Sequence, residues 1–238
     1  VRKLLFSASF IILFLFFTSE ALASSLVTVG QGGVVVVNVL AKETSSLEVA
    51  TKSDIEIKDV ANSGESGDLI SLAKSGEEVN LKVGNSKSFN VTDWQENLIE
   101  IEERDNAKKV TVSLKDGKFI ISQEGFIAST DFPLEIDPVK NHFIVATSSG
   151  EKYLAVLPHD AAQTALRAKA LSSVNPENLT IIEEGKDVGY ALLGEKSVNL
   201  FNVYTLTIPV EAKVSASTGE VISTNEPVWL KLLSFFLS

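Results

Sequence analysis

The sequence predicts a mainly β fold that ends in an α+β unit, and three observations carry that expectation. From Ser25 to Pro158, short alternating or β-branched runs recur between turn residues. A single Ala/Leu-rich stretch of helical texture follows, from Asp160 to Leu171. Strand texture then returns and closes on the turn Ser217-Thr218-Gly219-Glu220.

The first element is an address. Arg2 and Lys3 precede an apolar run from Leu4 to Phe17, broken only by Ser7 and Ser9, and then come Thr18-Ser19-Glu20 and Ala21-Leu22-Ala23. That order is the signature of a secretory signal peptide, with cleavage expected after Ala23. The run falls short of the roughly 20 residues that span a bilayer. The chain contains no methionine, so a start upstream of Val1 is the alternative, and with it an uncleaved N-terminal membrane anchor. Export is the expectation, to the cell envelope or outside the cell.

Composition narrows the function classes. Removing residues 1–23 takes Arg2, Lys3 and Glu20 from totals of 21 basic and 31 acidic side chains, leaving 19 and 30 and a net charge of −11. Such a surface argues against nucleic acid and against electrostatic docking on anionic lipid. Cysteine is absent, which removes disulfides, thiolate nucleophiles, thiolate metal sites and a lipidated cysteine.

Residues 24–105 read as an N-terminal β-rich segment. Val34 to Leu40 is a β-branched run after Gly30-Gln31-Gly32-Gly33, while Asp54 to Lys58 and Val79 to Val83 alternate polar and apolar. Asn62 to Gly67 is a loop by composition, and Thr92-Asp93-Trp94-Gln95 fits a capping box that predicts a turn of helix before the strand Leu98 to Glu102. Within the segment 106–158, Val110 to Pro158 falls into six units that each pair a short strand with a turn ending in Gly, Pro or Asn. An antiparallel β-meander is the expectation, with a stacked β-solenoid as the alternative.

Residues 159–226 open with Asp160, read as the N-cap of the helix, with Gln163 three residues on. Strands follow at Asn178 to Glu184, Val188 to Leu193, a long run from Val198 to Ser215, and Val221 to Ser223. Residues 227–238 form an apolar tail read as helical, whose polar residues Lys231, Ser234 and Ser238 make one narrow stripe. The tail's Trp229, Leu232, Leu233 and Phe236 are the candidate interaction residues. They are expected to contact the protein itself, an identical or different partner chain, or a membrane interface.

The helix followed by antiparallel strands ending in Val214-Ser215-Ala216-Ser217-Thr218-Gly219-Glu220-Val221-Ile222 resembles PepSY-type modules. In those small α+β units the last hairpin carries an acidic-x-x-Thr-Gly-Glu-Val pattern; Ser215 stands here where the acidic residue is usual. More broadly, Gly125 to Thr130, Ser149 to Lys152, Val156 to Ala162 and Glu226-Pro227-Val228-Trp229 make residues 110–238 similar to uncharacterised exported microbial proteins that join a β-rich segment to such a module. The resemblance implies a one-helix, antiparallel-sheet architecture and an exported location, and no activity.

The chemistry-bearing residues have bland readings beside the sharp ones. His159-Asp160 is the one His-acid neighbour pair, but no G-x-S-x-G elbow accompanies it; Asp160 as a helix cap is the simpler reading. His142 lies in a surface turn. The acidic run Glu100 to Asp105 lacks the spacing and glycine of an EF-hand loop. Gly30-Gln31-Gly32-Gly33 precedes a strand, whereas a phosphate loop opens a helix. Trp94 and Trp229 are core or interface anchors before they are sugar platforms. Asn90-Val91-Thr92 and Asn178-Leu179-Thr180 are glycosylation sequons. No catalytic, cofactor-binding or metal-ligating residue is assigned. The expected function is an exported, non-catalytic binding or structural role. The alternatives are a PepSY-like modulator or inhibitor of an exported protease, and a hydrolase with an unrecognised site.

Overall fold

A computed structural model describes residues 25–30, 33–38, 61–63, 68–85, 87–102, 108–140, 142–200, 204–227 and 229. Residues 1–23, expected to be a signal peptide, the expected strand Asp54 to Lys58 and the tail beyond Trp229 lie outside these residues.

The first strands are β1 (Val27–Val29), β2 (Val35–Asn38), β3 (Ala61–Ser63), β4 (Ile70–Ser75), β5 (Glu78–Val83), β6 (Lys87–Asn90) and β7 (Asn97–Ile101). Then come β8 (Val110–Lys115), β9 (Lys118–Gln123), β10 (Phe126–Thr130), β11 (Leu134–Asp137), β12 (His142–Thr147) and β13 (Gly150–Leu154). Each of the six units read between Val110 and Pro158 holds one of these strands. Helix α1 (Pro158–Arg167) precedes β14 (Ser173–Glu184), β15 (Asp187–Leu200), β16 (Tyr204–Ser215) and β17 (Val221–Asn225). The protein is mainly β, and the described strands form two sheets.

The larger sheet has eleven strands in the order β17-β16-β15-β14-β10-β9-β8-β7-β1-β2-β3, and the smaller has six, β13-β12-β11-β4-β5-β6. Consecutive strands pair antiparallel along β7–β10, β11–β13 and β14–β17, with the chain changing sheets between Thr130 and Leu134. A solenoid would stack its strands in parallel; among the described residues only β1–β7 and β10–β14 do so. The parallel register Ala128↔Leu179 joins the strands after α1 to those before it, so residues from all three β-rich segments share one sheet.

Turn chemistry sets the tight hairpins. Asp116-Gly117 and Glu124-Gly125 connect their strands with positive φ at both positions, 53° and 71° in the first and 49° and 81° in the second. Two such residues make the turn whose twist matches that of the flanking strands.

Alternation then decides burial. β5, β9 and β11 each bury every second residue. Leu72, Leu81, Ile136, Phe143 and Val145 of the smaller sheet join Ile99, Val112, Phe119, Ile121, Leu192 and Val214 of the larger in one apolar cluster. Helix α1 adds Ala161, Ala162 and Ala165, all fully buried; methyl side chains let its axis lie close against β9, β10, β14 and β16.

Three local expectations are corrected. Thr92 does not cap a helix, because its hydroxyl is engaged elsewhere: it accepts the Val79 N–H at 2.9 Å and donates to Asn90 Oδ1 at 2.7 Å, and residues 92–93 form a turn. Asp160 is not the N-cap of α1. The cap is Leu157, with Pro158 at the first helical position, where its fixed φ suits the helix and its missing N–H costs nothing. Asp160 therefore stands in the first turn and makes no side-chain cap bond. The run Val198 to Ser215 is not one strand but the end of β15 and all of β16, the two separated by residues 201–203.

Candidate functional site

Strands β15 and β16 are longer than the sheet that flanks them. β14 pairs with β15 only as far as Ser173↔Glu195, and β17 pairs with β16 only as far as Asn225↔Glu211. Beyond those pairs residues 196–200 and 204–208 continue as a two-stranded ribbon, in register from Lys196↔Ile208 to Leu200↔Tyr204.

The period of two gives this ribbon two unlike faces. Val214, Ala212, Val210, Ile208, Leu206 and Tyr204 share one face of β16, with Tyr190, Leu192, Gly194, Lys196 and Val198 opposite them on β15. Its inner part is core. Outward the cover ends: Ile208 is 6% exposed, Leu206 38% and Tyr204 73%. The other face carries Ser197, Asn199, Thr205 and Thr207, with Ser197 Oγ and Thr207 Oγ1 3.5 Å apart. The ribbon is amphipathic, and its apolar face extends past the body it would pack on.

The chain returns to the base of this ribbon after β17. Glu226, nearly buried, forms an ion pair with Lys196, whose position is on the apolar face opposite Ile208. Trp229 follows with helical backbone and 44% exposure. Of the four tail residues singled out in the sequence, only Trp229 is among the described residues; Leu232, Leu233 and Phe236 lie outside them. The ribbon itself escapes sequence reading, although the alternation Val198, Leu206, Ile208 was its visible signal.

The other sequence candidates sit in structural roles. His159 has a carboxylate at each ring nitrogen, Glu124 Oε2 at 3.1 Å from Nε2 and Asp160 Oδ1 at 3.3 Å from Nδ1, and Phe126 meets the ring edge-on at 5.5 Å. Lys108 is also paired with Glu124. With a carboxylate facing each nitrogen, the ring links α1 to the β9–β10 turn. Glu100 accepts from Ser25 Oγ at 2.9 Å and Lys109 Nζ at 2.8 Å, and the Lys109 contact holds its carboxyl below the ordinary range. Gly30 and Gly33 shape a turn into β2, with the Gly30 N–H bonded to the Val34 carbonyl at 2.9 Å. Trp94 is 9% exposed, and its Nε1–H donates to the Asn97 carbonyl at 3.2 Å. It floors an open groove of about 630 Å³ between the β4–β5 and β8–β9 turns. Asn90 and Asn178 are both exposed.

The turn after β16 is held by side-chain hydrogen bonds. Ser215 Oγ accepts the Thr218 N–H at 3.1 Å, and the Asp187 carboxylate, from the neighbouring hairpin, accepts from both Ser217 and Ser215. The Ser217 bond is the main cause of the depressed Asp187 pKa. Among the described residues, no three His, Asp or Glu side chains gather closely enough to hold a metal ion, and no helix is long and apolar enough to cross a membrane.

Comparison with protein-family models, curated proteins and solved structures finds no match.

Proposed function

We propose that this chain is an exported protein with a binding or structural role at the cell envelope or outside the cell, and that it acts by contact through its C-terminal ribbon. The observation that supports this reading is the rise in exposure from Ile208 to Leu206 to Tyr204 along one apolar face. Apolar surface held out in water favours association with whatever can cover it. Export is the part of the reading that rests on residues 1–23 alone. It is tested by intact mass of the protein recovered from the envelope or medium: a chain beginning at Ser24 supports it, and a membrane-bound chain retaining residues 1–23 replaces it with an N-terminal anchor. The contact role is tested by thiol labelling of Leu206→Cys against Thr205→Cys, which lie on opposite faces of the ribbon.

A second reading, a PepSY-like modulator or inhibitor of an exported protease, is favoured by one feature: α1 lies against the antiparallel run β14–β16, and the final hairpin turn is bound through Asp187. It rests on likeness of architecture. Adding the purified protein to its host's secreted proteases tests it; unchanged proteolysis removes it.

A further inference from the structure

We infer that the apolar face of the ribbon is covered by the tail of the same chain, residues 228–238. The inference rests on the ribbon being the contact surface and names what occupies it.

The direction of the chain comes first. β17 runs antiparallel to β16, from Val221 opposite Val214 to Asn225 opposite Glu211, and so travels toward the ribbon's tip. The side on which it arrives is fixed by the Lys196–Glu226 ion pair, because Lys196 stands on the apolar face. The tail is therefore delivered to the inner end of the uncovered face, heading along it.

Length and composition agree. From Lys196 to Leu200 the ribbon extends about 13 Å at strand rise, and a helix of 11 residues is about 16 Å long. At helical rise, the chain from Pro227 to Phe236 would span about 14 Å, enough to reach the end of the ribbon at Tyr204. The narrow stripe of Lys231, Ser234 and Ser238 leaves the remaining circumference apolar, enough to meet the ribbon and keep the polar stripe in water. One lysine on a strongly acidic chain gives the tail little pull toward an anionic membrane. Covered this way, the ribbon is closed by a segment of its own chain, and any partner for that face competes with the tail.

The absence of cysteine makes the test clean. In the full exported chain, Tyr204→Cys with Phe236→Cys should form a disulfide within one molecule under mild oxidation at low protein concentration, with loss of both free thiols. A disulfide requires Cα atoms about 4.4–6.8 Å apart, so its formation reports the contact. Thr205→Cys with Phe236→Cys, on the polar face, should keep both thiols. Truncation after Pro227 should raise the labelling rate of Leu206→Cys to that of Thr205→Cys. A disulfide-linked dimer would assign the face to a second copy and overturn the inference. So would two free thiols in the first variant, or co-sedimentation with phosphatidylcholine vesicles that truncation abolishes. Leu206→Cys still protected after truncation, with free thiols in the full chain, would sink the tail and keep the contact role; Leu206→Cys unprotected in the full chain would sink both.

Discussion

The side-chain carbonyl of Gln123 accepts a hydrogen bond from the backbone N–H of His159 at 3.3 Å. A buried residue at the end of β9 thus caps a helix through an N–H that lies 36 positions away from it in sequence. The neighbouring Glu124 meets the His159 ring, so one hairpin turn holds the start of α1 through two consecutive residues. Gln123→Leu removes the cap and should destabilise the fold by about 1 kcal/mol. Asp160→Asn, which removes the charge facing the first-turn dipole and His159 Nδ1, should cost about 0.5 kcal/mol. Thermal unfolding of the two variants checks the order.

Tyr190 supplies the second cross-link. Its hydroxyl donates to the Val156 carbonyl at 2.8 Å from a fully buried position, tying β15 to the segment that leads into α1. Tyr190→Phe leaves that carbonyl without its donor and should cost about 1–2 kcal/mol in denaturant unfolding. Burial, with a smaller contribution from the Asp160 charge, pushes the phenol well above its ordinary value. A group whose folded pKa is raised gives stability that is whole below its unfolded pKa, about 10, and falls as pH rises beyond it. The wild-type chain should lose stability above that pH more steeply than Tyr190→Phe.

Glu183 gives the opposite sign. Its carboxylate accepts from Ser148 Oγ at 2.6 Å and from the Ser149 N–H at 3.0 Å, joining β14 of the larger sheet to the β12–β13 turn of the smaller. Those bonds, the Ser148 hydroxyl first, lower its pKa from 4.5 to about 2. The contribution is present above the unfolded value and is lost as pH falls through the folded one. Carboxyl NMR should show Glu183 titrating near pH 2, and Ser148→Ala should move that midpoint upward.

Gly194 of β15 is closely approached by the segment that leads into β14. A Cβ at this position would lie 2.1 Å from the Ser173 carbonyl oxygen and 3.0 Å from Leu171 Cδ1. Beside it β14 bulges between Val174 and Leu179, around Pro176, which has no N–H for the ladder. Gly194→Ala should destabilise by about 3 kcal/mol, a large drop in unfolding temperature; an unchanged one would show that the backbones are not in contact.

How much of this was legible follows from the range of each signal. Alternation and turn residues are local, so β5, β9, β10 and the hairpin turns at Asp116-Gly117 and Glu124-Gly125 could be read directly. The division of six evenly spaced strands between two sheets depends on long-range pairing, such as Ala128 with Leu179, which no local pattern encodes. The helix cap was misplaced for the same reason: Asp160 is the obvious capping residue, whereas Gln123 is distant in sequence. Trp229 is 44% exposed at the end of the described chain, and the ribbon was hidden. Val198 to Ser215 looks like one core strand, and its apolar alternation does not reveal where the core ends.

The contact role of the ribbon is tested most directly by the reaction of Leu206→Cys with a maleimide, in protein recovered from its host's envelope or medium. Thr205→Cys, one residue away on the polar face, sets the rate of an open site. The account predicts that Leu206→Cys reacts much more slowly until the protein is unfolded, after which the two rates converge. Equal rates in the native protein would mean that nothing covers the apolar face, and would contradict the proposal that the chain works by contact there.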